Sequence, residues 1–359
     1  MGHDDGNSVL IVHRRNVETR HAASTCSLAM LCLALTGLSF QGCGLVYDAF
    51  QYVSPVATDE FDAICRRQRV QVGMAMEPFR PFVFPAIWTD EGSRVTGLDV
   101  ELVQHIVEAL SHQCGRPVTP VLRLVRFRDL FLYLSEGKLD LFVSAVPSNV
   151  PVQAWAGFAY STPYFEHGGL SGITRRPEVA DRIRQRLQSK PGSAPLDEIF
   201  SGLAIAVQEG TASQYYAGAN LRASRLVLCD SLPAAFESAE TIADPGIDVI
   251  LGARPVLEFM VNHVKKDWEL LVRPDGKPLM LSRAQYAVVM GEDSYRLRWF
   301  INTVIFQLAE SGQLDRMRTR WLDQSYAFPR RAAVEGLPFD VEKMAAQHSQ
   351  GTCRGDRGR

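Results

Sequence analysis

The 359-residue chain lacks the motifs that mark several large classes of enzyme and metal protein. It has no Gly-x-Ser-x-Gly elbow, no phosphate-binding glycine loop and no His-Glu-x-x-His zinc motif. None of its seven cysteines pairs with another at zinc-site spacing, and its eight histidines are dispersed. The sequence therefore gives no sign of a metal or cofactor and predicts that the protein is not an enzyme.

The chain also lacks an excess of charge of either sign. Lys and Arg together number 38, Asp and Glu together 40, and the formal net charge is −2. Without a basic footprint, nucleic acid is excluded as an expected partner. Hydrophobic residues make up 46% and charged residues 22%, which is typical of a globular protein. The length allows two domains of ordinary size.

Long apolar runs are scarce, and the one that stands out lies near the start of the sequence. Ala23–Phe40 carries no charge and follows Arg14, Arg15 and Arg20, a pattern typical of a signal peptide. The run ends at Phe40–Cys43, which resembles a bacterial lipoprotein signal. That resemblance implies export to the periplasm and a lipid anchor on Cys43. The alternative is an uncleaved membrane anchor.

Beyond residue 65 the hydrophobic pattern alternates between strand and helix. Arg69–Met74 predicts a strand and Asp99–Leu110 an amphipathic helix. Leu139–Val146 predicts another strand, and the apolar run Leu141–Val146 within it indicates burial on both faces of a parallel sheet. A second series, from Leu203–Val207 to Ile247–Leu251, repeats the first. Two α/β lobes with mostly parallel sheets are therefore predicted, with ligands expected at the carboxyl ends of the strands.

An ordered set of motifs is similar to a known family. The motifs are Arg69–Gly73 with Pro78–Phe82, Gly97–Leu102, Leu134–Asp140, Tyr160–Phe165, Val207–Thr211, and Leu308–Leu314 with Trp321. Together they resemble the bacterial extracellular solute-binding proteins of the polar amino acid type, family 3. The resemblance implies a periplasmic binding protein type II fold. In that fold two lobes, each a mostly parallel sheet flanked by helices, are joined by two hinge segments and close on a small ligand.

The resemblance also implies a division of the chain and a partner. The segments are 1–43 as signal peptide, 44–64 as linker, 65–165 with 285–326 as lobe 1, 166–284 as lobe 2, and 327–359 as a tail expected to be disordered. The hinges are expected near Pro163–Gly168 and Ser282–Tyr286. The implied partner is the permease of an ABC transporter.

The chain departs from this family where an amino acid ligand is expected to bind. Relatives hold the α-carboxylate with a hydroxyl and an Arg, and the ammonium with an Asp, through charge-assisted hydrogen bonds. Here Pro147 stands at the hydroxyl position, Val152–Ala154 contains no Arg, and Ala253 stands at the Asp position. A standard α-amino acid is therefore disfavoured, and a small polar or anionic ligand is predicted.

Seven residues are candidates for contact with that ligand. They are Phe79, Ser144, Ser148, Asn149, Thr211, Ala212 and Arg254. Thr211 and Ala212 open a predicted helix, whose free N–H groups and dipole favour an anion. Arg254 follows the lost Asp position and could reverse the local charge. The alternatives are side-chain packing for Phe79, N-capping for Thr211 and a surface ion pair for Arg254.

Cys65 and Cys114 are predicted to form a disulfide, because each precedes one of two strands expected to be parallel neighbours. The alternative is a pair of buried thiols. Cys229 is interpreted as a core residue, and Cys353 has no evident partner. Two other functions also stay open: an accessory or sensory binding lobe, and a dehydratase-like enzyme with Glu77 or Glu209 as general acid.

Overall fold

The computed structural model describes residues 59–75, 79–89, 92–149, 156–189, 195–241, 246–323, 336–338 and 352–355, which all belong to one compact unit, Thr58–Arg359. The predicted signal peptide with Cys43, the carboxylate candidate Glu77 and the segment Val152–Ala154 lie outside the described residues. Within the described ranges, no helix combines the length and the apolar character needed to span a membrane.

Helices and strands alternate along the chain, as the hydrophobic pattern predicts. The helices are α1 (Glu60–Arg67), α2 (Leu98–Cys114), α3 (Leu130–Ser135), α4 (Pro177–Ser189), α5 (Leu196–Ile199), α6 (Ala212–Asn220), α7 (Leu232–Thr241), α8 (Arg254–Phe259), α9 (Tyr295–Glu310) and α10 (Gln313–Leu322). The strands are β1 (Arg69–Ala75), β2 (Phe84–Thr89), β3 (Gly92–Thr96), β4 (Thr119–Val125), β5 (Leu141–Pro147), β6 (Phe158–Tyr160), β7 (Phe165–Thr174), β8 (Ala204–Gln208), β9 (Arg225–Cys229), β10 (Val249–Ala253), β11 (Glu269–Leu270), β12 (Ser282–Gly291), β13 (Leu337–Pro338) and β14 (Cys353–Gly355).

One large sheet runs through the molecule in the order β14-β9-β8-β10-β7-β12-β5-β1-β4. β1 pairs in parallel with β4 and β5, and β8 pairs in parallel with β9 and β10. Between these two parallel groups lie the long antiparallel strands β7 and β12. We call the group with β1, β4 and β5 the first lobe and the group with β8, β9 and β10 the second lobe. The predicted α/β class with mostly parallel sheets is confirmed.

In the first lobe, helices cover both faces of the sheet. Leu141 and Val143 of β5 pack in the same core as Leu297 of α9 and Trp321 of α10. The alternate residue Phe142 packs in the other core, with Leu130 and Phe131 of α3 among its members. Because all seven residues of β5 are buried, its sequence is apolar without alternation.

The two lobes are connected where β7 and β12 pair. The rings of Phe165 and Tyr286 stack there, 5.4 Å apart at 12°. Gly169 has φ +140°, and a Cβ at this position would lie 2.2 Å from the Ser282 carbonyl oxygen. Only glycine fits so close an approach of two backbones. Both predicted hinge segments lie within or beside these strands.

Two disulfides join distant parts of the chain. Cys65 bonds to Cys114, at the amino ends of the parallel neighbours β1 and β4. Cys229 bonds to Cys353, with a Cα–Cα distance of 4.0 Å. Cys229 is buried in the core, as interpreted, but it is also bonded, and the interpretation of Cys353 as partnerless was wrong. The cause is that the tail lies against the sheet, a contact that no local pattern in the tail reveals.

Two short segments of the tail expected to be disordered are in strands. β13 pairs with β3 in a separate three-stranded sheet, whose Val95 packs in the core with Leu141 of the first lobe. β14 adds antiparallel to β9 at the edge of the second lobe. Thr352 donates its backbone N–H to Asp230 at 3.1 Å. The tail therefore contacts both lobes.

Candidate functional site

A cavity of ≈ 40 Å³ lies between the lobes, at the ends of β5, β8, β10 and β12. Apolar side chains form most of its wall: Phe79, Phe127, Leu170, Leu232, Leu251 and Ala284. Gln208, Thr211, Ser213, Ser282 and Tyr286 supply its polar side chains, and none of the described lining residues is charged. A water molecule needs about 10–15 Å³ by this measure, so the cavity holds about three.

The end of β5 is shaped by an unusual backbone conformation. Ala145 lines the cavity with φ 48°, in the left-handed region that alanine rarely adopts. Its N–H donates to Asp99 at 3.0 Å, and the Tyr164 hydroxyl donates to the same carboxyl at 2.7 Å. Complete burial raises the pKa of Asp99 from 3.8 to about 7 despite these two donors. Asp99 thus connects Ala145, in the cavity wall, to Tyr164, which directly precedes β7.

The second hinge strand brings two unpaired hydroxyls to the cavity. In the described part of the chain Ser282 Oγ is buried without a hydrogen-bond partner, and the buried Tyr286 hydroxyl donates to no acceptor, although the Gly169 N–H lies close to its oxygen. Burial raises the pKa of Tyr286 further than the nearby Gly169 N–H and the charge of Arg254 lower it, so this hydroxyl stays protonated. Buried polar groups without partners are costly and unusual in a folded protein. Both residues line the cavity, and each has an unused hydroxyl donor beside it.

The amino end of α6 forms the opposite wall. The Gly210 N–H donates to Gln214 Oε1 at 2.6 Å, and the Thr211 hydroxyl donates to the Gln208 carbonyl at 2.7 Å. The side chain of the N-cap residue Thr211 accepts no hydrogen bond from a backbone N–H group of α6. The first N–H groups of α6 therefore keep their capacity to bind an oxygen atom, aided by the helix dipole.

Three of the seven predicted contact residues line the cavity: Phe79, Thr211 and Ala212. The other four have partners within the protein. Ser144 Oγ accepts the Ala75 N–H at 3.1 Å, and Ser148 Oγ donates to the Gln285 carbonyl at 3.1 Å. Asn149 Oδ1 accepts the Gln285 N–H at 3.0 Å. These polar groups secure β5 to β1 and to β12.

Arg254 lies at the start of α8, and its guanidinium connects this helix to the hinge strand β7. It donates to Glu258 at 2.7 Å and to the His167 carbonyl of β7 at 2.8 Å. The contact with Glu258 is the ion pair expected from the sequence as the alternative to ligand binding for Arg254. Arg254, Thr211 and Asn149 are therefore not gathered around one point.

Sequence reasoning did not single out Ser282, Tyr286, Gln208 or Ala145 as parts of the site. Ser282 and Tyr286 both fall in the segment expected as the second hinge, so hydroxyls in a hinge beside the cavity were a usable signal. The conformation of Ala145 has no such signal, because alanine shows no preference for it.

The lobes also meet beside the cavity, through a charged contact. Arg128 of the first lobe forms an ion pair with Glu209 of the second lobe, and Arg354 of β14 pairs with the other Glu209 oxygen. Glu209, one of the two candidate general acids, is thus held by two guanidinium groups. No cluster of three or more metal-binding side chains occurs in the described ranges.

Comparison with solved structures shows the fold. An amino acid ABC transporter substrate-binding protein, AbpA from Streptococcus pneumoniae bound to L-arginine, matches with a TM-score of 0.58 and 21% identity, covering 73% of this chain and 98% of that one. The P235GK mutant of ArgBP from T. maritima matches with a TM-score of 0.58 and 22% identity, covering 74% of this chain and 100% of that one.

A third neighbour is described as the ancestral amino acid-binding protein AncCDT-1, a precursor of cyclohexadienyl dehydratase. It matches with a TM-score of 0.58 and 18% identity, over 73% of this chain and 99% of that one. No curated protein matches the chain. The two-lobed type II periplasmic binding protein fold is confirmed by these neighbours.

A family model matches residues 70–324, which include both lobes and the cavity between them. The chain belongs to the bacterial extracellular solute-binding proteins, family 3.

Proposed function

We propose that the protein is an exported solute-binding protein that captures a small ligand between its lobes and delivers it to an ABC transporter permease. The family supports this role. In the proposed division, residues 65–165 with 285–326 form lobe 1 and 166–284 form lobe 2. The proposed location is the periplasm, with the chain held at the membrane through a lipid on Cys43.

The unpaired hydroxyls of Ser282 and Tyr286 at an uncharged cavity carry the proposal for the ligand class. These hydroxyls and the N–H groups of α6 are donors, so they suit an acceptor oxygen such as a carboxylate or a carbonyl. An ammonium group needs a carboxylate or several acceptors nearby, and the described lining residues include no acid. The favoured ligand is therefore a small carboxylate or neutral carbonyl compound with an apolar body.

Three small molecules that differ in one group test this ligand class. Propanoate and propanamide share the acceptor oxygen, and alanine adds an ammonium to propanoate. The first two should raise the melting temperature of the protein, since a ligand at 100 times its Kd stabilises by about 2.7 kcal/mol. Alanine should give no shift. Stabilisation by alanine and not by propanoate would overturn the proposed class.

Variants locate the binding. Tyr286→Phe and Ser282→Ala each remove one donor, so each should weaken propanoate binding by about three- to tenfold, the value of one hydrogen bond. Ser148→Ala is the control, because its hydroxyl bonds to Gln285 on the same hinge and does not line the cavity. Mass spectrometry of the purified protein identifies any small molecule that co-purifies with it. If none is found and neither propanoate nor propanamide binds, an accessory or sensory role replaces the proposed transport role.

A further inference from the structure

Helix α9 presents three large aromatic side chains to solvent. Tyr295, Trp299 and Phe306 have 59%, 71% and 63% of their surface exposed. Their spacing of four and seven residues places them on one side of the helix, along about 16 Å at 1.5 Å per residue. We call these three residues the aromatic face. Its opposite side carries Leu297, Ile301 and Val304, which are buried in the core.

A groove of ≈ 720 Å³ continues the aromatic face toward α1 and α2, and its wall combines apolar side chains such as Phe61 and Phe300 with polar ones such as His112 and Gln307. Large aromatic side chains exposed together on one side of a helix often mark a surface where a protein or a membrane binds. The core of the lobe does not require these side chains, since α9 is already anchored by its buried side.

The described chain begins beside this face. Asp59 accepts the backbone N–H of Arg296 in α9 at 2.8 Å, and the Phe61 ring lies 5.2 Å from that of Phe300. Residues 44–58 separate Asp59 from Cys43 and can reach at most about 50 Å when extended. The uncharged segment Ala23–Phe40 lies directly upstream. Whether that segment is a lipoprotein signal or a membrane anchor, the attachment point lies a short linker away from α9.

We propose that the aromatic face rests on the surface of the lipid bilayer, an inference that depends on the membrane attachment proposed above. Trp and Tyr are the residues enriched at membrane–water interfaces, because their rings are apolar and their edges polar. The Arg298 guanidinium lies 5.6 Å from the Tyr295 ring, where it can meet lipid phosphates beside the aromatic side chains. The contact orients the first lobe on the membrane while the second lobe stays free to move.

Quenching by brominated lipid tests the contact in the membrane-attached full chain. The protein is reconstituted into vesicles of phosphatidylcholine and phosphatidylglycerol, with or without bromine on the acyl chains. Brominated lipid should reduce the tryptophan emission of the wild-type protein, and Trp299→Phe should abolish that loss. In the double variant Tyr295→Ser with Phe306→Ser, Trp299 should regain its emission while the protein remains on the vesicles.

A matched control places a tryptophan elsewhere on the same lobe. Leu132 of α3 is 53% exposed and lies on the opposite face of the sheet from α9. Leu132→Trp in the Trp299→Phe background should show no quenching. Equal quenching at both positions would overturn the proposal.

The experiment separates failure of the face from failure of the attachment. If the protein floats with the vesicles and Trp299 is not quenched, the attachment stands and the aromatic face does not contact lipid. Cross-linking between copies through position 299 in that case would assign the face to a second copy of the chain. If the protein does not float, both the attachment and the contact are overturned.

Discussion

Gly210 packs directly on Arg128, so that a Cβ atom at position 210 would stand 2.6 Å from the Arg128 Cβ and 3.1 Å from its Cα. Gly210 belongs to the second lobe and Arg128 to the first. The ion pair between Arg128 and Glu209 lies next to this contact. The lobes therefore approach each other here as closely as a glycine allows, and we expect this contact to limit how far they close.

Gly210→Ala is expected to keep the lobes apart. The new methyl group meets the Cβ and Cα atoms of Arg128, which are fixed to the backbone and cannot move aside as the end of a flexible side chain could. The variant should show a larger radius of gyration by small-angle X-ray scattering and should bind propanoate more weakly.

Gly202→Ala is the matched control for that substitution. Gly202 has φ +75° against +78° for Gly210, so alanine costs roughly 1–2 kcal/mol of backbone energy at either position. A Cβ at Gly202 meets no atom within 4 Å. If both variants lose stability equally and keep the wild-type radius, Gly210 does not limit closure.

Asp99 should make the protein less stable as the pH rises. Its pKa is raised from 3.8 to about 7 in the folded state, so the folded protein binds the proton more tightly than the unfolded chain. The contribution of this group to the free energy of unfolding should therefore be full below pH 4, fall by up to about 4 kcal/mol between pH 4 and 7, and then level off. Urea unfolding across this range measures the slope.

Two substitutions assign that slope to Asp99. Asp99→Asn cannot ionise and can still accept from Ala145 while donating to Tyr164, so the slope should flatten. Tyr164→Phe removes a donor that lowers the pKa of Asp99, so the fall in stability should extend to higher pH. An unchanged slope in Asp99→Asn would show that other groups cause it.

Cys353→Ser should release β14 from the edge of the second lobe. The Cys229–Cys353 bond spans 124 residues and the Cys65–Cys114 bond spans 49, so each contributes about 4–5 kcal/mol in the chain-entropy model. Both serine variants should lose stability. Only Cys353→Ser should speed amide hydrogen exchange in β9, because β14 pairs with that strand. Faster exchange of β9 in Cys65→Ser as well would argue against a local effect.

Ser144→Ala should lower stability more than Ser148→Ala. The Ser144 hydroxyl is the partner of the buried Ala75 N–H, and its loss leaves that donor unsatisfied at a cost of about 1–3 kcal/mol. The Ser148 hydroxyl bonds to a carbonyl that also accepts the Ser148 N–H, so less is lost. Chemical unfolding compares the two. A drop in propanoate affinity with unchanged stability in Ser144→Ala would instead return this hydroxyl to the ligand site.

The sequence predicted the fold well because its signals are local and repeated. The apolar run of β5 and the helical stripe of α2 each report burial directly, and their order identifies the two-lobed arrangement. The structure adds a few residues at most boundaries: the helix expected at Asp99–Leu110 runs from Leu98 to Cys114. Element ends depend on capping contacts that the hydrophobic pattern does not contain.

The candidate site was predicted less completely because its parts come together from distant segments. Phe79, Thr211 and Ala212 were identified from their place in motifs. The roles of Ser144 and Arg254 depend on what lies opposite them, Ala75 in one case and the hinge carbonyl of His167 in the other. For Arg254 the sequence does hold a local sign of its ion pair, because Glu258 follows it at the four-residue spacing that brings side chains together on a helix.

The two disulfides differ in how much of the chain must be made before each can form. Cys65 meets its partner after 49 further residues, whereas Cys229 waits for 124. The intervening chain includes β12, α9 and α10. The bond to Cys353 can therefore close only after the segments of both crossings between the lobes have been made, whereas the Cys65–Cys114 bond needs neither of them.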